Sequence, residues 1–438
     1  MDGCLAAARH VWPLMERLYP ICRSITGDGV RQSLSMISKL APLTITEVAS
    51  GTAVFDWEVP REWKVREAWV ADPAGNRVVD LRDHSLHLMS YSVPVRRTMP
   101  LAELRPHLYS LPDHPDWIPY RTSYYRDDWG FCIAHRTLEA LPEGQYEVCV
   151  DSSLTEGHLT FAECVVPGES EDEILIFTHV CHPSMCNDNL TGIAVAAALA
   201  AQLKGVRPRL TFRFVFAPGT IGSIIWLARN ESSVHRVRHG LVLGLLGDRG
   251  PLTYKRSRRG TAEIDRIAEY TLPTVSASSR FVDFSPYGYD ERQLCSPGFN
   301  LPVGRLTRTP NGEYEEYHSS ADDFSLISAE ALAESLLAST AILRIADRNE
   351  SYVNLNPKCE PRLGKRGLFR STGGRDPGLF EHALLWVLNQ SDGSTSLLDI
   401  AVRSRLKFDV VAGAADALLE VGLLRPVSAD GREGASRS

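Results

Sequence analysis

Apolar side chains recur at helical spacing near the start of the chain, at Val11, Leu14, Met15 and Leu18 and again at Val30, Leu34, Ile37 and Leu40. That period predicts two helices within Ala6–Leu40. The turn Arg23-Ser-Ile-Thr-Gly-Asp-Gly29 separates them, and Asp28-Gly29 opens the second. From Leu43 to about Val150 the rhythm shortens. β-Branched and aromatic runs at Thr44–Val48, Ala53–Val59, Ala68–Ala71 and Val78–Leu81 alternate with Gly and Pro turns, which predicts a small all-β unit.

A third pattern follows. Ile174-Leu-Ile-Phe177 reads as a buried strand, Gly192–Leu203 as an Ala-rich helix and Leu210–Phe216 as a second strand. Ile221–Ala228 is then a helix and Gly240–Leu246 a third strand, so βαβ crossovers and a parallel sheet are expected. Ala329–Ala346 is a long closing helix. After the linker Leu355–Pro361, helical pieces at Phe380–Leu388, Leu397–Ala401 and Val410–Val421 precede the apolar Gly422-Leu-Leu424, the outline of a winged helix. The Gly/Ser/Arg-rich tail, 429–438, is expected to be disordered.

Composition narrows the function classes. A length of 438 residues exceeds the usual single core and implies two or three domains. Apolar residues at 44% and charged residues at 23% describe a soluble globular protein. The net charge of −7, with no long basic run, argues against a binder driven by nucleic-acid phosphates. Arg9, His10, Glu16 and Arg17 break up the N-terminal apolar residues, and no membrane-length apolar stretch follows, so a cytoplasmic location and no membrane association are expected. In that compartment the nine cysteines are expected to be thiols. The tryptophans Trp57, Trp63, Trp69, Trp117 and Trp129 fit a compact β core.

Chemistry concentrates in Thr178-His-Val-Cys-His-Pro-Ser-Met-Cys-Asn-Asp-Asn-Leu-Thr-Gly192, which runs from a strand end to a helix start. Open α/β sheets bind ligands at the carboxyl ends of their strands. Two imidazoles, His179 and His182, and the carboxylate of Asp188 are donors of the kind zinc prefers. The amides of Asn187 and Asn189 are placed to orient Asp188. Asp248, after the third strand, and His318, on the loop before the last helix, are further candidate ligands. Each of these residues taken singly is more often structural, an Asp before a helix being an ordinary N-cap. The convergence of several strand ends carries the metal reading. Asp290-Glu-Arg-Gln293 is a polar run between Tyr287-Gly-Tyr289 and Cys295-Ser-Pro-Gly298, too charged for a core and otherwise readable as a solvated turn.

These residues resemble the zinc aminopeptidase family that includes bacterial leucyl aminopeptidases and glutaminyl cyclases. The chain is most similar to a bacterial branch of it, through Leu18–Gly27, Phe55–Pro60, Cys181-His-Pro-Ser184, Asp290-Glu-Arg-Gln293, Asn354–Lys358 and Ala383–Leu388. The resemblance implies a zinc-peptidase-like mixed α/β sheet with helices on both faces, over residues 1–42 and 131–355. It adds an inserted small all-β domain (43–130) and a C-terminal winged helix (365–428). It implies one or two zinc ions, with Asp188 at the bridging position, His179 or His182 as the first histidine, and Asp248 and His318 as later ligands. The family's paired glutamates, general base and ligand, fall on Gly219 and Thr220 here. That departure makes a single ion the simpler expectation and leaves Glu291 as the candidate base, with Asp290 binding a substrate amine or hydroxyl. An amide hydrolase of a small-molecule or short peptide-like substrate is the expected activity; an inactive metal-binding scaffold or a ligand-binding protein is the alternative. In 365–428 the cations Arg403, Arg405 and Lys407 face Asp399, Asp409 and Asp416. The winged helix therefore reads as a packing or homo-oligomer module rather than a nucleic-acid binder.

Overall fold

The computed structural model describes residues 1–368 and 377–427. The expected tail, 429–438, lies outside the described residues. The chain packs as two units, one spanning Met1–Thr340 and one that begins at Ala341.

The first unit opens with helices α1 (Asp2–Leu18) and α2 (Asp28–Ile37), which bury Val11, Leu14, Met15 and Leu18 and Val30, Leu34 and Ile37; α2 ends before Leu40, which is half-buried. Strands β1 (Thr44–Ala49), β2 (Glu62–Ala71), β3 (Arg77–Asp80), β4 (Val95–Pro100) and β5 (Gln145–Thr155) follow. Four of them form an antiparallel sheet in the order β3-β2-β5-β4. That sheet takes one of its two inner strands, β5, from residues beyond 130, while β1 pairs instead with β6 (His158–Val166) of the main sheet.

The main sheet is completed by β7 (Ser170–His179), β8 (Leu210–Ala217), β9 (Val237–Leu243), β10 (Thr253–Lys255), β11 (Arg280–Val282) and β12 (Val303–Thr307). Its eight strands run in the order β1-β6-β8-β7-β9-β12-β10-β11. β7 lies centrally and parallel to both β8 and β9, and β9 is parallel to β12. Buried on both faces, its central strands are continuous apolar runs such as Ile174–Phe177. Helices α3 (Gly192–Gln202) and α4 (Ile221–Asn230) supply the crossovers. α3 is buried from Gly192 through Ala200, which its alanines permit because they bring it close to both the sheet and α1. The short α5 (Glu291–Leu294) and the long α6 (Ala329–Arg348) come later.

One strand differs from the sequence expectation. β9 ends at Leu243, not Leu246, because Leu243 O accepts Thr178 Oγ1 at 3.0 Å and Leu245 turns to a left-handed backbone with φ 55°. Asp248 therefore lies five residues past the strand, on a loop.

The second unit contains α7 (Pro377–Gln390), α8 (Leu397–Ser404) and α9 (Phe408–Glu420). A three-stranded antiparallel sheet joins β13 (Ser351–Asn354), β14 (Asp392–Ser396) and β15 (Leu424–Pro426) in the order β14-β13-β15. Ser396 caps α8 by accepting the Asp399 amide, and Leu384, Val387, Ile400, Val411 and Leu418 fill the core. Asp409 pairs with Arg344, and Asp416 with Arg348 at 2.6 Å, so two of the acids in this segment are engaged by α6. Among the described residues no helix is long and apolar enough to cross a membrane.

Candidate metal centre

The site begins where β7 ends. His179, the last residue of that strand, is 1% exposed, and the chain then loops through His182 to Asp188 before entering α3. The loop approaches α3 closely: a Cβ on Gly192 would stand 2.4 Å from Asn189 Oδ1 and 2.7 Å from Leu243 O, so only glycine fits there.

Asp188 is the hub. Its Oδ1 is 2.9 Å from His179 Nε2 and 3.3 Å from His182 Nδ1, and its Oδ2 is 3.1 Å from His318 Nε2. The two loop histidines stand 3.0 Å apart, Nε2 to Nδ1. Burial by itself raises the Asp188 carboxyl, but electrostatic attraction to His182 and the hydrogen bonds of His179, His182 and His318 outweigh it and hold the group well below the usual carboxylate range. His182 moves down, chiefly through burial, with Asp188 opposing. A neutral imidazole and an ionised carboxylate are the states in which these groups ligate metal.

The donor set fits a tetrahedral ion. Ligand atoms about 2.0–2.1 Å from such an ion stand about 3.3 Å from one another. The ligand atoms of His179, His182 and Asp188 all lie within 4.8 Å of one another, at separations of 2.9, 3.0 and 3.3 Å.

The supports of this cluster come from distant segments. Asp322 accepts the backbone amides of Asn187 at 2.5 Å and Asp188 at 2.9 Å. Asn189 Nδ2 donates to His179 O at 3.0 Å and Thr178 Oγ1 at 2.9 Å. The flanking asparagine amides thus clamp the loop to neighbouring strand ends instead of touching the Asp188 carboxylate, which the histidines orient. Aromatic rings wall the site. Tyr289 stacks on His179 at 4.7 Å, Tyr317 stacks on His318 at 3.9 Å, and Tyr120 sits edge-on to both His182 and His318. Tyr120 also donates its amide to His318 O at 2.8 Å. Tyr120 and Asp322 escaped the sequence reading because nothing local distinguishes them from other loop residues.

Asp248 does not reach the cluster. Its Oδ1 accepts Thr309 Oγ1 at 2.6 Å and Gly250 N at 2.7 Å, and its Oδ2 accepts Asn187 Nδ2 at 3.0 Å and Thr309 N at 3.2 Å. The early end of β9 displaces it, and four protein donors occupy its carboxylate. Asp248 fixes Asn187, the residue before the hub.

Asp290 and Glu291 are adjacent and both fully buried, yet differ in company. Glu291 Oε1 lies 3.0 Å from Lys255 Nζ and 3.4 Å from Arg305 Nη1, and Oε2 accepts the Tyr289 amide at 3.1 Å. A carboxylate shared by two buried cations is a structural counter-charge. Neither oxygen of Asp290 has a hydrogen-bond partner. The hydroxyl of nearby Ser223 gives its one proton to Thr220 O at 2.7 Å. Burial pushes the Asp290 carboxyl up to about 7, with the Glu291 charge adding to the rise and the Arg292 charge opposing it. A Cβ built on Gly219 would stand 3.1 Å from His179 Cβ and 3.4 Å from Asp290 Oδ2. Asp290 therefore borders the space a side chain at 219 would enter, on the flank of a cluster ligand.

Residues 12–349 match the family described as Domain of unknown function (DUF4910). The chain belongs to this family. Residues 350–426 match a winged helix-turn-helix. A Clostridium acetobutylicum protein, named for polysaccharide biosynthesis and an aminopeptidase-like domain, is 48% identical over 419 residues, which are 95% of this chain and 96% of that one. A crystal structure of a C. acetobutylicum protein named as a peptidase superposes with a TM-score of 0.90 at 46% identity, over 97% of this chain and 98% of that one. BSAP, a zinc aminopeptidase from Bacillus subtilis, shares the fold with a TM-score of 0.57 at 14% identity, over 77% of this chain and 95% of its own. This DUF4910 chain thus carries the aminopeptidase-like, peptidase-type hydrolase fold, a mixed α/β sheet, with a C-terminal winged helix.

Proposed function

We propose that the chain is an amide-bond hydrolase using a single zinc ion held by His179, His182 and Asp188, acting on a small-molecule or short peptide-like substrate. The observation that carries this reading is the convergence of three ligand atoms within 4.8 Å at the carboxyl end of the central strand, flanked by the enclosed, unpartnered carboxylate of Asp290. When bound, zinc supplies a Lewis acid that polarises a carbonyl and makes water a better nucleophile.

The side chains divide the remaining work. Asp188 anchors the ligand histidines, and His318 holds its second oxygen. Asp290 is assigned the role of proton acceptor from the attacking water and donor to the departing amine. It takes the place of the expected Glu291, whose charge is committed to Lys255 and Arg305. The tyrosine walls limit access of bulk water. Gly219 and Thr220, lacking carboxylates, favour one ion over two.

The missing glutamate also supports a second reading, a metal-bearing scaffold or ligand-binding protein without turnover. Metal analysis of purified protein, followed by a screen of aminoacyl amides, N-acyl amides and acylamino sugars, separates the two. The last class is included because the C. acetobutylicum relative is named for polysaccharide biosynthesis. One zinc per chain with turnover lost in Asp290→Asn supports the hydrolase; one zinc with no turnover across the screen supports the scaffold. Nine free cysteines suit a reducing compartment, and we place the protein in the cytoplasm. The winged helix is assigned to packing or self-association, because Arg403, Arg405 and Lys407 are its main positive cluster and no dense basic helix is present in its sequence.

A further inference from the structure

The segment Arg23-Ser-Ile-Thr-Gly-Asp-Gly29 is a turn by sequence, yet its first side chain is among the largest fully buried in the molecule. Arg23 Nε donates to His182 O at 2.9 Å and Nη1 donates to Leu18 O. Its third nitrogen, Nη2, is enclosed and has no acceptor. No carboxylate among the described residues forms an ion pair with it; the groups in electrostatic reach are the thiols of Cys181, Cys22 and Cys186 and the Tyr120 phenol. Burial lowers its pKa to about 10, which still leaves it charged at neutral pH.

A buried, unpaired guanidinium is destabilising, and folded proteins normally supply a counter-charge. This one lies against the metal loop. It bonds the backbone of a ligand residue, its charge acts on the His182 imidazole, and Tyr120, within its electrostatic reach, borders both His182 and His318. Guanidinium is the side chain best shaped to receive a carboxylate.

We propose that Arg23 binds a carboxylate of the substrate beside the metal centre, so that the preferred substrates are anionic. This rests on the hydrolase reading for the word substrate, but the binding it describes is measurable without turnover.

The test uses the full chain, zinc-loaded and metal-free, titrated calorimetrically with N-acetylglycine and with its uncharged counterpart N-acetylglycinamide. The expected result is at least tenfold tighter binding of the carboxylate by wild type. In Arg23→Gln that ratio falls towards one, and in Arg23→Lys, which keeps the charge, it is partly retained. A merely structural role for Arg23 would weaken both probes together and leave the ratio unchanged. Equal binding of the two probes by wild type, or none, overturns the proposal, as does a ratio that survives in folded Arg23→Gln. Carboxylate-selective binding without turnover on any amide would sink the hydrolase reading and leave the Arg23 assignment standing.

Discussion

The carboxylate of Asp322 accepts the backbone amide of Asp188 at 2.9 Å, so one buried acid fixes the main chain of another across 134 positions of sequence. The same carboxylate takes the Asn187 amide, and the two bonds hold the hub of the metal cluster from its backbone side. Replacing Asp322 by Asn puts an N–H where an acceptor is needed, and the loop loses its clamp while keeping all three ligands. We expect zinc affinity to fall about 10–100-fold, the range typical of a lost support behind a ligand. Competition against a chelator reads this directly, and unchanged affinity would mean that the clamp is dispensable.

Asp248 offers a sharper discrimination, because the sequence suggested a ligand and the structure shows an anchor. All four of its hydrogen bonds go to protein donors. Asp248→Asn should therefore keep one zinc per chain. It should lower stability by about 1–3 kcal/mol, since Thr309 and Gly250 lose a charged acceptor. Elemental analysis and urea denaturation together decide it; loss of the ion with stability intact would restore Asp248 to the ligand set.

The contrast shows what could be read from sequence. The βαβ rhythm, the Ala-rich helix and the winged-helix outline were legible because apolar periodicity is local. His179, His182 and Asp188 fall within ten residues, so their convergence was legible too. Asp248 was misplaced because a strand end depends on tertiary contacts: Thr178 Oγ1 caps Leu243 O and ends β9 early. Glu291 could not be told from Asp290 because its cations, Lys255 and Arg305, lie on other strands. Arg23 looked like a turn residue, since no local pattern announces that its side chain will be buried.

Those two cations set the next prediction. Lys255 and Arg305 are 4% and 5% exposed at their side chains and share Glu291 as their anion. Glu291→Gln strands both charges in the interior, and breaking a buried pair by removing one partner costs about 3–5 kcal/mol. Chemical denaturation should show a loss of that order. A variant that unfolds like wild type but turns over no substrate would instead make Glu291 the base.

Asp290 should behave in the opposite way. Its folded-state pKa of about 7 lies above the usual aspartate value of 3.8 because burial favours the neutral acid. Between those values the folded chain holds a proton that the unfolded chain has released, so this group makes stability fall as pH rises from about 4 to 7. Above pH 7 both states are ionised and the penalty is constant. At about 1.4 kcal/mol per pH unit across that window, the effect is bounded near 4 kcal/mol. Asp290→Asn removes the penalty, so in metal-free protein the variant should be more stable than wild type at pH 8 by a few kcal/mol. At pH 4 the difference should be close to zero. Urea unfolding of both proteins across this range is the measurement. A gain independent of pH, or a loss at pH 8, would mean that Asp290 has a partner in the folded protein and is not the free carboxylate on which the proposed proton transfer depends.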